Sequence, residues 1–121
     1  MSEINTLLQN YRHGQRDFSG LSLADANLSY ADLKGADLSY SDLSNIDLSQ
    51  ANLRGVDLSY AKLSQVDLHN ADLRGAMLIG TDLRDVSLQD ANLKNADYIP
   101  GVTQFPREFD PRQAQMSSVV A

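Results

Sequence analysis

Cysteine is absent from these 121 residues, which excludes disulfides and thiolate metal sites and leaves the redox compartment unread. Cations are scarce: ten Lys and Arg stand against sixteen Asp and Glu, a net charge of −6. A nucleic-acid surface needs clustered Lys and Arg, so direct binding to nucleic acid is not expected. The acidic excess instead favours solubility and leaves room for a partner with a basic surface. No apolar run approaches the roughly 20 residues of a membrane span. The opening stretch MSEINTLLQNYRHGQ lacks the basic start and apolar core of a signal peptide. The expectation is one domain, cytoplasmic, with no membrane partner.

Catalytic material is equally thin. His13 and His69 are the only histidines, and the periodicity described next separates them by about three coils, with no Ser and acid gathered beside either. Neither H-E-x-x-H nor a phosphate-cradling glycine loop occurs. No cofactor is expected, and a coil without insertions offers no concave pocket for a small molecule. The chain reads as non-enzymatic.

What the chain does have is a beat of five. Residues 31–50 read ADLKGADLSYSDLSNIDLSQ and residues 51–70 read ANLRGVDLSYAKLSQVDLHN, each four five-residue words. A large residue stands at the centre of every word from Phe18 through Leu23, Leu28 and onward to Leu93 and Tyr98, seventeen words without an insertion. In an α-helix, five residues advance about 500°, so the centres would scatter around all sides. In a straight strand an odd spacing alternates faces. Only a chain that bends at every word buries all the centres together. Ala or a β-branched residue two places earlier, as at Ala31, Ala36, Ala51 and Ala71, then shares the inner side.

The bends fall between words, where Gly20, Gly35, Asn45, Gly55, Asn70, Gly75 and Gly80 supply turn formers. The words ADLKG, ANLRG, ADLRG and ANLKN begin at 31, 51, 71 and 91, so equivalent sides recur every four words. The spacing therefore predicts a four-sided coil around a column of large side chains. One side of that column is Phe18, Leu38, Leu58, Leu78 and Tyr98. Each coil mainly contacts its neighbours, as in a solenoid.

The repeated A-(D/N)-L-x-x words resemble those of pentapeptide-repeat proteins, closely over residues 17–100. The flanks LLQNYRHGQRDFSG and ADYIPGVTQFPREFDP are similar to those of small single-domain members from photosynthetic bacteria. The resemblance implies an all-β fold, a right-handed quadrilateral β-helix, and it alone supplies the handedness. About four coils are expected, a rod about 20 Å long at roughly 4.8 Å per coil. Residues 1–16 are expected to form a capping helix, 17–100 the β-helix, and 101–121 a C-terminal cap and flexible tail. In the first of these, Ser2 is placed to cap a helix whose Ile4, Leu7, Leu8 and Tyr11 make one apolar face. In the last, Val102, Phe105 and Phe109 suit an irregular plug, with SSVVA as the disordered end. Covered ends prevent edge-to-edge association, so a monomer is expected.

Function must then be carried on the outer positions, one before each centre and two after it. Lys34, Arg54, Arg74 and Lys94 stack on one side, beside corners Gly35, Gly55, Gly75 and Asn95. They could receive an anionic group or an acidic partner; equally, Asp32, Asn52, Asp72 and Asn92 on the same side make them an ordinary solvated face. Asp17, Asp37, Asp57 and Asp97 form an acidic ladder interrupted by Met77, and another side carries Asn27, Asp47, Asp67 and Ser87. Stacked carboxylates about 5 Å apart repel by roughly 1 kcal/mol per pair. Asn on alternate rungs and Lys62 between Asp42 and Asp82 relieve this, which points to local backbone hydrogen bonding as their use. One Asp per word makes no oxygen cage, so no metal is expected. Tyr40 and Tyr60 share an edge and either stack on each other or anchor a partner. The Ser residues after the centres, Ser39, Ser49 and Ser59 among them, read as small polar rungs.

Three functions fit this surface. The first is a rigid module that displays polar ladders to a protein partner. The second, a role that the resemblance implies for some members, is a mimic of duplex DNA that modulates DNA gyrase. The third is a structural spacer or assembly unit.

Overall fold

A computed structural model describes residues 3–23 and 25–119; the expected Ser2 cap lies outside them. The first element, α1, spans Glu3–Arg12. Leu7 is buried and Ile4, Leu8 and Tyr11 are partly buried against the core, so one face of α1 packs down while the rest meets solvent. The helix stops at Gly14, whose φ of 100° is open to glycine. Gln15 N–H donates to the Asn10 carbonyl and Gly14 N–H to that of Tyr11, both 3.0 Å, the paired bonds of a Schellman close.

From Asp17 onward the chain coils. Each word has only two or three extended residues, too few for a long strand, so its pairing is a single parallel bridge to the word twenty residues away. The bridges fall in four ladders: Asp17–Asp37–Asp57–Met77–Asp97, Ser22–Asp42–Lys62–Asp82, Asn27–Asp47–Asp67–Ser87, and Asp32–Asn52–Asp72–Asn92. The centre Leu38 donates its N–H to the Asp57 carbonyl at 2.8 Å, and Asp57 N–H returns to Ala36 O at 2.9 Å. Between ladders the chain turns through four residues, as where Ala36 N–H bonds the Leu33 carbonyl at 2.9 Å.

The third residue of these turns is held in the left-handed region, the place glycine or asparagine takes in a type II turn. Gly35 (φ 73°) and Asn45 (φ 60°) are at home there; Tyr40 (φ 61°), Tyr60 (φ 59°) and Gln50 (φ 57°) are not. Left-handed backbone costs a side-chain-bearing residue roughly 1–2 kcal/mol. The ladder offsets it: Tyr40 N–H reaches Ser59 O at 3.0 Å and Tyr60 N–H reaches Ile79 O at 2.9 Å.

Inside lie the large centres. Phe18, Leu38, Leu58, Leu78 and Tyr98 are all buried, and Leu33, Leu53 and Leu73 are fully so. The small positions two before them, Ala36, Ala51, Val56, Ala71 and Ala76, are buried too. Leu88 is only partly buried, at the last rung of its ladder. Where the inner small position is polar, its hydroxyl turns to a carbonyl of the neighbouring coil: Ser41 Oγ to Phe18 O at 3.2 Å, Thr81 Oγ1 to Leu58 O at 2.8 Å, Thr103 Oγ1 to Leu78 O at 2.7 Å.

Beyond Tyr98 the beat breaks. Asp82 bridges Gln104, two residues later than the period requires, and the excess is taken up in a turn through Gly101 (φ 80°). Val102, expected in the plug, is instead 45% exposed on this turn. Phe105 meets Tyr98 edge-on with centroids 5.5 Å apart and stacks on Phe109 at 5.2 Å. The tail departs from expectation as well. Strand β1 (Asp97–Tyr98) pairs in parallel with β2 (Ser117–Ser118), through Ser117 N–H to Ala96 O and Val119 N–H to Tyr98 O, both 2.8 Å. The open edge of β1 presents backbone groups that any composition satisfies, so the polar tail is drawn into the ladder. Val120 and Ala121, the rest of the expected flexible end, lie outside the described residues.

Candidate interaction faces

Where Asp or Asn stands before a centre, it is in most words a clamp. Its side-chain oxygen accepts the backbone N–H two residues on: Asp37 Oδ1 from Ser39 at 2.9 Å, Asp57 from Ser59 at 2.9 Å, Asn52 from Arg54 at 3.2 Å, Asn92 from Lys94 at 3.1 Å. Asp and Asn do this equally, because only one oxygen is used. In several words the following serine adds its hydroxyl, as Ser39 Oγ to Asp37 and Ser44 Oγ to Asp42, both 2.6 Å. Ser39 and Ser49, whose hydroxyl bonds Asp47 at 2.6 Å, are therefore folded back and buried rather than outward rungs; Ser59 is buried too, but its hydroxyl has no partner among the described residues.

In five words the local bonds favour the charged carboxylate. Asp17 and Asp42 are pulled below the usual range, first by the hydroxyls of Ser19 and Ser44 and then by their N–H groups. The backbone N–H of His69 does the same for Asp67. Asp72 and Asp82 are lowered foremost by the side chains of Arg74 and Arg84. Asp17, Asp37 and Asp57 stand on consecutive rungs, Met77 separates them from Asp97, and all stay engaged on their own word or half-exposed. No cluster of three or more His, Cys, Asp or Glu suited to a metal occurs among the described residues.

On the fourth ladder Lys34, Arg54, Arg74 and Lys94 are all exposed. Arg74 is held to Asp72 by two bonds, Nε–Oδ1 at 2.9 Å and Nη2–Oδ2 at 2.7 Å. Arg54 and Lys94 have the neutral Asn52 and Asn92 on their own rungs. No ion pair within 4 Å engages Lys34, Arg54 or Lys94 among the described residues. Below the first rung, the Tyr11 hydroxyl donates to the Lys34 carbonyl at 2.6 Å, and the Arg16 guanidinium lies 3.8 Å over the Tyr11 ring. Arg16 is so tied to the ring whose hydroxyl meets the first rung, a placement that depends on how α1 docks and has no signal in the repeat. The Arg84–Asp82 pair on the second ladder, bidentate at 2.9 and 2.7 Å, was also not singled out from sequence, although its two-residue spacing matches that of Arg74 and Asp72.

Tyr40 and Tyr60 stack with centroids 5.4 Å apart and planes 16° from parallel. Tyr60 continues the column over Gly80, where a Cβ would collide with Cε1 of the ring. They remain 69% and 50% exposed, so the stack and a contact surface coexist. Tyr30, on a different corner, accepts a hydrogen bond from Gln50 Nε2 at 2.8 Å.

The sequence matches the family model "Pentapeptide repeats" in eight copies, over residues 17–55, 31–70, 51–90 and 67–97. No curated protein matches it significantly. Among solved structures it is similar to alr5209, a pentapeptide repeat protein from Nostoc PCC 7120, at 50% identity and a TM-score of 0.93 over 96% of this chain and 95% of that one. It is also similar to HetL from Nostoc sp. strain PCC 7120, a pentapeptide repeat protein involved in heterocyst differentiation regulation, at 33% identity and a TM-score of 0.50. That match covers 82% of this chain and 47% of HetL. The chain belongs to the pentapeptide-repeat family, and its coil is the right-handed β-helix of that family.

Proposed function

We propose that the protein is a non-enzymatic, rigid interaction module that presents the Lys34–Arg54–Arg74–Lys94 stripe to an acidic protein partner. One observation carries this reading: four exposed cations occupy consecutive rungs of one ladder, opposed there only by Asp32 and Asp72. Rigid rungs fix the backbone spacing of the charges, so association orders only their side chains and not the chain that carries them. On this reading the rod is a cytoplasmic monomer of about four coils, with α1 as the lid on its first coil and residues 99–119 closing the other end. The test is recovery of partners by the full chain and by the variant Arg54→Glu/Arg74→Glu, with Asp37→Asn/Asp57→Asn as the comparison. Loss of the same partner from the ladder-reversed variant alone is expected. Undiminished recovery by it would reject the reading.

The stacked Asp17, Asp37 and Asp57 favour the second reading, a mimic of duplex DNA acting on DNA gyrase. B-DNA carries one charge per ~1.7 Å, so a rod of ~20 Å needs about twelve. Residues 17–97 hold thirteen Asp against six Lys and Arg, a balance of −7, and the cation stripe takes one whole face. A supercoiling assay at low and high salt separates the two: salt-sensitive inhibition that depends on Asp37 and Asp57 would replace the module by the mimic. A spacer or assembly unit, the third reading, needs an adhesive end, and α1 packed against the core argues against one.

A further inference from the structure

We propose that the partner element seated on the cation stripe is an acidic α-helix lying parallel to the solenoid axis, with carboxylates at i, i+3, i+7 and i+10. This rests on the interaction reading above and names the shape of the partner. Asp32, Asn52, Asp72 and Asn92 pair as consecutive parallel rungs, so the cations two residues beyond them are about 4.8 Å apart and the four span about 14 Å. A helix rising 1.5 Å per residue covers about 15 Å from i to i+10, with steps of about 4.5–6 Å between side chains on that face. An extended chain places side chains of one face about 6.6 Å apart, so four of them span about 20 Å and slip by a full rung before the end. Helix and ladder stay matched over all four positions; strand and ladder do not.

The corner beside the stripe has the relief such an element needs. Gly35, Gly55 and Gly75 are bare, with no atom other than those of their chain neighbours within 4 Å of where a Cβ would project, and only the last corner, Asn95, carries a side chain. Other corners carry Tyr30, Tyr40, Gln50 and Tyr60 instead. A cylinder about 10 Å wide can therefore rest against this edge and still meet the cations. Near the lower end a further cation, Arg16, is fixed over Tyr11 and bonded through Nη1 to the Tyr11 and Gln15 carbonyls at 2.8 and 2.9 Å, and the Tyr11 hydroxyl meets the Lys34 carbonyl. Within the stripe Arg74 is shared with Asp72, so Arg54 and Lys94, whose rungs carry Asn, are the stronger receptors.

The experiment is fluorescence anisotropy at low salt with the full chain and three labelled peptides of equal composition. One is helical with Glu at i, i+3, i+7 and i+10; one is helical with its Glu scattered around the axis; one is held extended by proline with Glu at alternate positions. The in-register helix is expected to bind about tenfold more tightly than either other peptide, and Arg54→Gln/Lys94→Gln to remove that advantage, the size expected of several exposed ion pairs. Unchanged thermal melting of the variant guards against misfolding. Equal or tighter ladder-dependent binding of the extended peptide would overturn the helix while leaving the interaction module standing. Tighter binding of a single-stranded or duplex oligonucleotide, or no binding of any peptide, would overturn the inference; partner recovery by the ladder-reversed variant then decides separately whether the module survives.

Discussion

Leu58 and Asp57 are chain neighbours with opposite duties. Leu58 is fully buried in the middle of a narrow column, so Leu58→Ala should cost about 2–5 kcal/mol, since a thin core cannot collapse around the void. Asp57 contributes one clamp oxygen to the Ser59 N–H, and Asn performs that task on other rungs, so Asp57→Asn should lie within about 0.5 kcal/mol of wild type. Urea unfolding of the two variants checks the pair; similar losses would mean the inner and outer positions are wrongly assigned. Gly80 tests the corner. At φ 67° beneath the Tyr60 ring, Gly80→Ala should lose roughly 1–2 kcal/mol to left-handed backbone alone, with a further loss from displacing the ring. In a Tyr60→Gly background that further loss should vanish, a coupling that a double-mutant cycle measures directly.

The two ends of the coil meet different elements. At the start, α1 lays Leu7 on the core and Tyr11 supplies a hydroxyl to the Lys34 carbonyl on the first rung of its ladder. At the far end β2 continues the pairing of β1. Tyr11→Phe should therefore cost about 1 kcal/mol, the usual net worth of one hydrogen bond. Faster amide exchange should follow at α1 and the first rungs while the middle of the rod stays protected. Uniform acceleration along the chain would indicate that α1 stabilises the whole rod rather than its first coil.

The assembled rod carries a net negative charge yet is stabilised by carboxylates that prefer to be ionised. Asp17, Asp42, Asp67, Asp72 and Asp82 all titrate below the ordinary aspartate range. The unfolded chain thus holds protons more tightly than the folded one. The contribution is complete above the unfolded value near pH 4 and is lost as pH falls through the lower folded values. The melting temperature followed by circular dichroism should be level between about pH 7 and 5 and should drop below about pH 4. A level profile to lower pH would mean that the clamps act the same whether charged or neutral.

The coil was legible in one chain because its period is short and unbroken. Five residues fit neither helix nor strand, and the twenty-residue echo counts the sides, so the Leu column and the Lys34–Lys94 and Tyr40–Tyr60 alignments could be read by counting. Reading failed where a contact depends on no periodic position. The bonding of Ser117–Val119 is made by backbone, to which side-chain identity is nearly indifferent. The turn that exposes Val102 follows from a two-residue excess whose placement only the ladder reveals. Burial of Ser39 and Ser49 depends on which way each hydroxyl folds, and the seat of Arg16 over Tyr11 on how α1 docks. Periodic pattern thus determines a repeating core, because each coil sees nearly the same neighbours. The ends and the exposed charges meet unique neighbours, and only the folded chain decides what those are.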